Sequence, residues 1–225
     1  MSEGDTAVAM APGGLLGDII LEAIARHGDA IAFVDDEGET SYRAFGRMVA
    51  QAIKRLEDLD LPRGATIAQV SDNCTRQYAL MAAAYIGGFR SLTLHAMGGR
   101  EDQLYILKDS DARILVGGPG RMADAASLAR DAGIACYVHR GDDAVAPFWP
   151  ATPASSALPA RTVGETEDIV RLAYTGGTTG RPKGVMLSNR ALVANTFMAL
   201  TRIDFPIEIR FLCPAPISHG AGSIV

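Results

Sequence analysis

Apolar positions along the chain change their period repeatedly, and each change marks a new element. Ile20, Ala23 and Ile24 recur at helical spacing behind Asp18, a residue able to cap a helix, and Gly28 ends the run. Ala30 to Val34 and Thr40 to Tyr42 read as two short strands around the turn Asp35-Asp36-Glu37-Gly38, a hairpin. Phe45, Met48, Val49, Ala52, Ile53 and Leu56 line one face of an amphipathic helix over 43–59, and Pro62-Arg63-Gly64 closes that unit. A strand is predicted at Thr66 to Val70, an alanine-rich helix at 75–87 and a strand at 90–94. A helix from Arg100 to Lys108 follows, with Leu104 and Leu107 inward. Next come a strand from Arg113 to Val116, a helix at 121–132 and a strand from Ile134 to Val138. Strands alternating with short helices predict an α/β fold, a largely parallel sheet flanked by helices.

The pattern then breaks. Residues 141–165 carry Pro147, Pro150, Pro153 and Pro159 among Ala, Ser and acidic residues, the composition of an extended connector. Periodic segments resume with a buried strand at Ile169 to Tyr174 and a second apolar run at Val185 to Leu187. A helix near 189–201 follows, with Leu192, Ala199 and Leu200 inward, and then a strand from Ile209 to Cys213. The expected organisation is a leader over 1–16, a first α/β subdomain over 17–140, a connector over 141–166, and the start of a second α/β subdomain over 167–225. There are no internal repeats.

The stretch between the two apolar runs carries candidate chemistry. Tyr174-Thr175-Gly176-Gly177-Thr178-Thr179-Gly180-Arg181-Pro182-Lys183-Gly184 is rich in the residue types that hold a polyphosphate. Glycines let backbone N–H groups approach an anion with no Cβ in the way. Threonine hydroxyls add donors that also suit a metal ion. Lys183 adds a mobile point charge, and Pro182 stiffens the chain before it. The P-loop of nucleotide triphosphatases is excluded, because its spacing from Gly176 would place the second glycine at Arg181. An ordinary hairpin turn is the competing reading, but such turns usually use two to five residues.

Composition narrows the classes. The chain has 225 residues, enough for one sizeable core or two small ones. It is 48% hydrophobic and 21% charged, an ordinary globular balance. A net charge of −5 without a dense basic cluster argues against nucleic acid as a partner. Cys74, Cys136 and Cys213 fit no metal spacing and no disulfide framework, so a reducing cytoplasm is expected, with the three thiols as small buried hydrophobes. The N-terminus, with Glu3 and Asp5 and with Asp18 in its apolar stretch, reads as neither a signal peptide nor a transmembrane helix.

The segment from Tyr174 to Val185 closely resembles the phosphate-loop signature of the adenylate-forming enzymes: acyl- and aryl-CoA synthetases, firefly luciferase and the adenylation domains of nonribosomal peptide synthetases. It departs at Gly176, where that family usually carries Ser or Thr. Thr40-Ser41-Tyr42-Arg43-Ala44-Phe45 resembles an early motif of the family, and Ala82 to Gly88, continuing through Arg100 and Leu104 to Ser110, resembles its second. Both have a packing explanation, and no catalytic role is carried onto them. The likeness runs from about residue 18 to the end. It implies the N-terminal portion of the large domain of an ATP-dependent acid–CoA ligase, with Thr175, Gly176, Gly177, Thr178, Thr179, Gly180 and Lys183 on the phosphates. Thr178 or Thr179 would hold Mg²⁺, and Lys183 would neutralise pyrophosphate. The partners implied are ATP, coenzyme A and a fatty or aryl acid. A homodimer is kept open.

His219 is the second candidate. Pro214-Ala215-Pro216-Ile217-Ser218-His219-Gly220 follows the strand expected at Ile209 to Cys213, which would set His219 at a strand's carboxyl end, where open α/β sheets bind ligands. From the residues alone a ligand-facing and a structural histidine are equally supported. The resemblance favours the former, because acyl- and aryl-CoA synthetases have a similar Pro-x-x-His-x-x-Gly segment lining the acyl pocket. His27, His95 and His139 have no such context and are read as structural. The family's adenine-binding, ribose-binding and C-terminal lysine segments are not found in these residues. The chain is therefore expected to be the front part of a longer enzyme and inactive alone.

Other functions stay in view. A carrier protein could replace coenzyme A as acceptor. A pseudo-enzyme could keep the loop without the chemistry. Gly118-Pro119-Gly120-Arg121-Met122-Ala123, with Asp142 further on, matches a loose dinucleotide fingerprint and would suit a nicotinamide oxidoreductase.

Overall fold

The computed structural model describes residues 14–141, 145–149, 157–175, 180–204 and 209–220. Helix α1 (Leu16–His27) leads into a hairpin of β1 (Ile31–Asp35) and β2 (Gly38–Ser41), and α2 (Tyr42–Asp58) packs beneath it. Then β3 (Thr66–Val70), α3 (Thr75–Ile86), β4 (Arg90–Thr93), α4 (Arg100–Asp109), β5 (Ala112–Gly117), α5 (Met122–Ala132) and β6 (Ala135–Val138) alternate as expected. The chain returns as β7 (Ile169–Thr175), β8 (Lys183–Ser188) and α6 (Asn189–Arg202).

Among the described residues the larger sheet has the order β6-β5-β3-β4-β7-β8. All neighbours are parallel except β7 and β8, which pair antiparallel. The pleat sends alternate side chains to opposite faces, and both faces are apolar, as a covered parallel sheet requires. Ile67, Ile114 and Val116 join α1, α2 and α3 on one face. Ala68, Val70 and Leu115 join α4 and α5 on the other. The successor of β3 lies on one side of it, and β5 lies on the other. The loops after β3 and β5 therefore diverge at the carboxyl edge, the crevice where open α/β sheets place ligands.

Caps explain where two of the helices begin. Ser41 accepts from the Ala44 N–H and Ser188 from the Ala191 N–H, each at 3.2 Å. Asp18 departs from expectation: α1 starts at Leu16, and the Asp18 carboxylate instead accepts from the Thr162 N–H at 2.8 Å. A contact 144 residues away in sequence has claimed the group that local pattern assigned to a cap.

The described part of the connector belongs to the core. Phe148 has no exposed surface and packs with Trp149 into the cluster beneath α1, α2 and α3. Its N–H donates to Val138 O at 2.7 Å, and the Val138 N–H donates to Ala146 O at 3.1 Å. Further on, the Val163 N–H donates to Ile86 O at 2.8 Å. The expected division at 141–166 does not coincide with a sheet boundary, because β7 and β8 extend the sheet built by β3 to β6. Two details near the end are corrected. Residues 209–213 join no strand, and Phe211 and Leu212 are exposed, so apolar composition there reflects surface rather than a ladder. On α6 it is Val193 that is buried, whereas Leu200 faces out at 54% exposure.

Candidate active site at the carboxyl edge

The glycine- and threonine-rich loop is the connection of the β7–β8 hairpin. Thr175 and Lys183 are register partners, so the sheet itself holds the two ends of the loop face to face. Thr175, Gly180 and Lys183 are all exposed, and a Cβ on Gly180 would meet nothing within 4 Å. Gly176, Gly177, Thr178 and Thr179 lie outside the described residues. Gly184 has a reason to be glycine that is unrelated to phosphate: it sits opposite Tyr174, and a Cβ there would come within 2.9 Å of the tyrosine ring.

Helix α4 braces this hairpin. The Tyr174 hydroxyl donates to one oxygen of Asp109 at 2.6 Å, and the Tyr105 hydroxyl donates to the other at 3.1 Å. The guanidinium of Arg181, within the loop, lies 5.3 Å from the centre of the Tyr105 ring. Partial burial, reinforced by the Asp109 carboxylate, raises the pKa of Tyr174, so both hydroxyls stay protonated donors at neutral pH.

The His219 segment reaches the same edge by a different route from the one expected. Residues 209–213, directly before it, form no strand; the loop after β3 holds it instead. The Asn73 side chain donates through Nδ2 to Ala215 O at 2.8 Å and accepts at Oδ1 from the Ile217 N–H at 3.0 Å. Arg171 of β7, only 6% exposed, donates to Ile217 O at 3.4 Å. The Ile217 side chain is buried with Met81, Tyr85 and Val170. His219 is exposed, and its N–H donates back to Pro216 O at 2.9 Å. Parallel strands end at one edge, so the loops after β3 and β7, two strands apart, lie roughly 10 Å from each other across the sheet.

Sequence reasoning missed Asn73, Arg171 and Asp109. Arg171 sits inside a run read as apolar, and Asp109 lies inside the motif ending at Ser110, for which the sequence offers a packing explanation alone. Asn73 did carry a signal, as an amide in the loop leaving the strand predicted at Thr66 to Val70.

The glycines of the dinucleotide-like stretch serve packing. A Cβ on Gly118 would collide with the side chain of Ser71 and come within 2.8 Å of His139 Cε1. Gly120 has φ +74° and faces the Asp72 carboxylate. Ser71 and Asp72, in the loop after β3, lie directly against these two glycines. Asp142 lies outside the described residues.

Comparison with known proteins gives the family. A model described as AMP-binding enzyme matches residues 20–225. The chain belongs to the AMP-binding enzyme family. Within this family it is 26% identical over 225 residues to a medium/long-chain-fatty-acid–CoA ligase of Mycobacterium tuberculosis, covering 92% of this chain and 38% of the ligase. It is 29% identical over 182 residues to a feruloyl-CoA synthase of an Amycolatopsis species, covering 80% and 35%. The fold matches that of ATP-bound MatB from Rhodopseudomonas palustris with a TM-score of 0.78 at 22% identity, covering 92% and 42%. The chain thus spans less than half the length of these AMP-binding relatives. Among the described residues no helix is long and apolar enough to cross a membrane.

Proposed function

We propose that the protein supplies the phosphate-binding part of an AMP-forming acid–CoA ligase. The observation that carries this reading is the position of the glycine- and threonine-rich loop. Its ends are fixed at the sheet's carboxyl edge, beside a separately anchored histidine segment. Membership of the AMP-binding family and the acid–CoA ligases among its relatives support it.

The chemistry follows from charge. A carboxylate oxygen attacks the α-phosphorus of ATP, the bond to the bridging oxygen breaks, and pyrophosphate leaves with its electron pair. Both reactants are anions, so they must be held in line and their repulsion screened. Thr175 to Gly180 would donate to the β- and γ-phosphates, and Lys183 would neutralise the leaving pyrophosphate. His219 would donate to the acid's carboxylate or to a phosphate oxygen. Threonine hydroxyls are hard oxygen donors, so Thr178 or Thr179 would hold Mg²⁺, which when bound screens phosphate charge. The sulfur of coenzyme A then attacks the acyl carbon, losing its proton; the bond from that carbon to the phosphate oxygen breaks, and AMP leaves as the thioester forms. Cys74, Cys136 and Cys213 are not joined in disulfides, which suits a reducing cytoplasm.

The test is acid-dependent ATP–pyrophosphate exchange on the natural gene product, with fatty, aryl and amino acids in parallel. Exchange with one acid class is expected, and Lys183→Ala should lower it by about 100-fold or more, the usual cost of removing one transition-state charge partner. No exchange with any acid from the complete protein would refute the reading.

A further inference from the structure

We propose that Asn73 is a positioning residue, whose carboxamide fixes the Ala215–His219 segment at the carboxyl edge and so sets the acid-binding side of the site. The consequence for substrate rests on the ligase reading; the placement of the segment does not.

A carboxamide presents a donor and an acceptor side by side, as a peptide group does. Asn73 uses both: it donates to Ala215 O at 2.8 Å and accepts from the Ile217 N–H at 3.0 Å. It thereby takes the place of a strand neighbour for a segment that belongs to no strand among the described residues. Two further ties to this backbone are longer: Arg171 donates to Ile217 O at 3.4 Å, and the Cys213 thiol donates to Ala215 O at 3.5 Å.

The anchor itself is firmly set. The Asp72 N–H donates to Pro119 O at 3.3 Å, tying the loop after β3 to the loop after β5. On the other side of Asn73, helix α3 has no side-chain cap of its own. Asp35 of β1 caps it from outside, accepting from the Thr75 N–H at 2.8 Å and from its hydroxyl at 2.7 Å. Asn73 is thus held between a tied loop and a capped helix start. On the receiving side, the turn from Pro216 to His219 closes on its own hydrogen bond, and the Ile217 side chain is 1% exposed. Displacing Ile217 therefore displaces His219 with it.

The reciprocal geometry makes the amide specific. Serine cannot span both partners, and alanine leaves the Ile217 N–H and Ala215 C=O without their shared partner. Asn73→Ala and Asn73→Ser are both made in the full-length protein, and the readouts are taken on whichever keeps the wild-type melting temperature within a few degrees.

Hydrogen exchange is read first. Losing two hydrogen bonds should speed exchange of the Ile217 amide and its neighbours to His219 by roughly 10- to 100-fold, leaving β3 and β7 unchanged. Unchanged exchange at Ile217 in a folded variant overturns the proposal. Kinetics follow. The KM for the acid should rise about tenfold while the KM for ATP stays within about twofold, because the phosphate loop hangs from β7 and β8 rather than from Asn73. Equal rises in both constants overturn a positioning role in favour of general loosening. A wild-type protein with no turnover on any acid would remove the ligase reading alone, and hydrogen exchange would then decide the role of Asn73 by itself.

Discussion

His139 should make this protein lose stability in mild acid more steeply than its carboxylates alone would cause. The ring is 4% exposed, stands edge-on to Trp149 with centroids 5.0 Å apart, and has Nδ1 3.8 Å from the Cys74 thiol. Its Nε2 is buried with no hydrogen-bond partner among the described residues. Burial, with a smaller contribution from Arg76, pushes the imidazole from 6.5 down to about 3. The unfolded chain therefore takes up a proton near pH 6.5 that the folded chain refuses until about pH 3. Stability from this group is complete above pH 6.5 and is lost as pH falls toward 3. Each pH unit in that window costs about 1.4 kcal/mol, so the two units down to pH 4.5 remove about 2.5–3 kcal/mol. That is a large share of the 5–15 kcal/mol typical of a domain. The assay is urea unfolding at pH 7.5, 6.5, 5.5 and 4.5 for wild type and His139→Phe, which keeps a ring against Trp149 without a titrating nitrogen. Asp35 is common to both proteins and cancels in the difference; burial penalises its carboxylate, but the bonds from Thr75 hold it below its usual pKa. Wild type should lose about 2.5 kcal/mol more than the variant between pH 6.5 and 4.5. Parallel curves would show that the imidazole accepts its proton in the folded state and would refute the reasoning.

Two further outcomes are expected. Phe148→Ala should cost about 3–5 kcal/mol in the same urea assay, because the side chain is fully buried among α1, α2 and α3; a loss below about 1 kcal/mol would mean that residues 147–149 rest on the core rather than form part of it. Asp109→Ala should raise the KM for ATP in the full-length protein by about 10- to 100-fold, with the KM for the acid unchanged, by releasing Tyr105 and Tyr174 and with them the brace on Arg181; steady-state kinetics with each substrate varied in turn will show it.

The regular part of this fold was readable because its forces are local. Thr66 to Val70 and Phe45 to Leu56 each repeat a period over several residues, and such repeats mean burial on one face or two. The stretch from Thr175 to Lys183 stood out for another reason: glycines, threonines and a lysine gathered over so few residues point to one proposed use, the holding of phosphate. What the sequence hid were pairings between distant residues. Nothing local says that Asp18 will bind Thr162 rather than cap its own helix, or that Asn73 will hold Ile217 across 144 positions. Proline content made 141–165 look like a plain connector, yet two aromatics in it, Phe148 and Trp149, complete the core. The run from Ile209 to Cys213 misled in the opposite direction. Its composition suits a strand, but among the described residues it pairs with no neighbour and joins no sheet.

Strand β8 closes the sheet on one side and has no strand beyond it among the described residues. Val185 and Met186, adjacent and therefore on opposite faces, are 44% and 67% exposed. A row of unpaired backbone groups with apolar side chains above and below is a template for strand addition, and Lys183 guards only its first position. Because Val185 and Met186 offer an apolar side chain to either face, a slip of one residue costs such a pairing little, so what adds there need not add in register. Concentration is therefore a hidden variable whenever this chain is handled alone. Crowded copies can stack edge to edge through the very strand that carries the glycine- and threonine-rich loop, and ligand binding lost that way would mimic a defect in the loop.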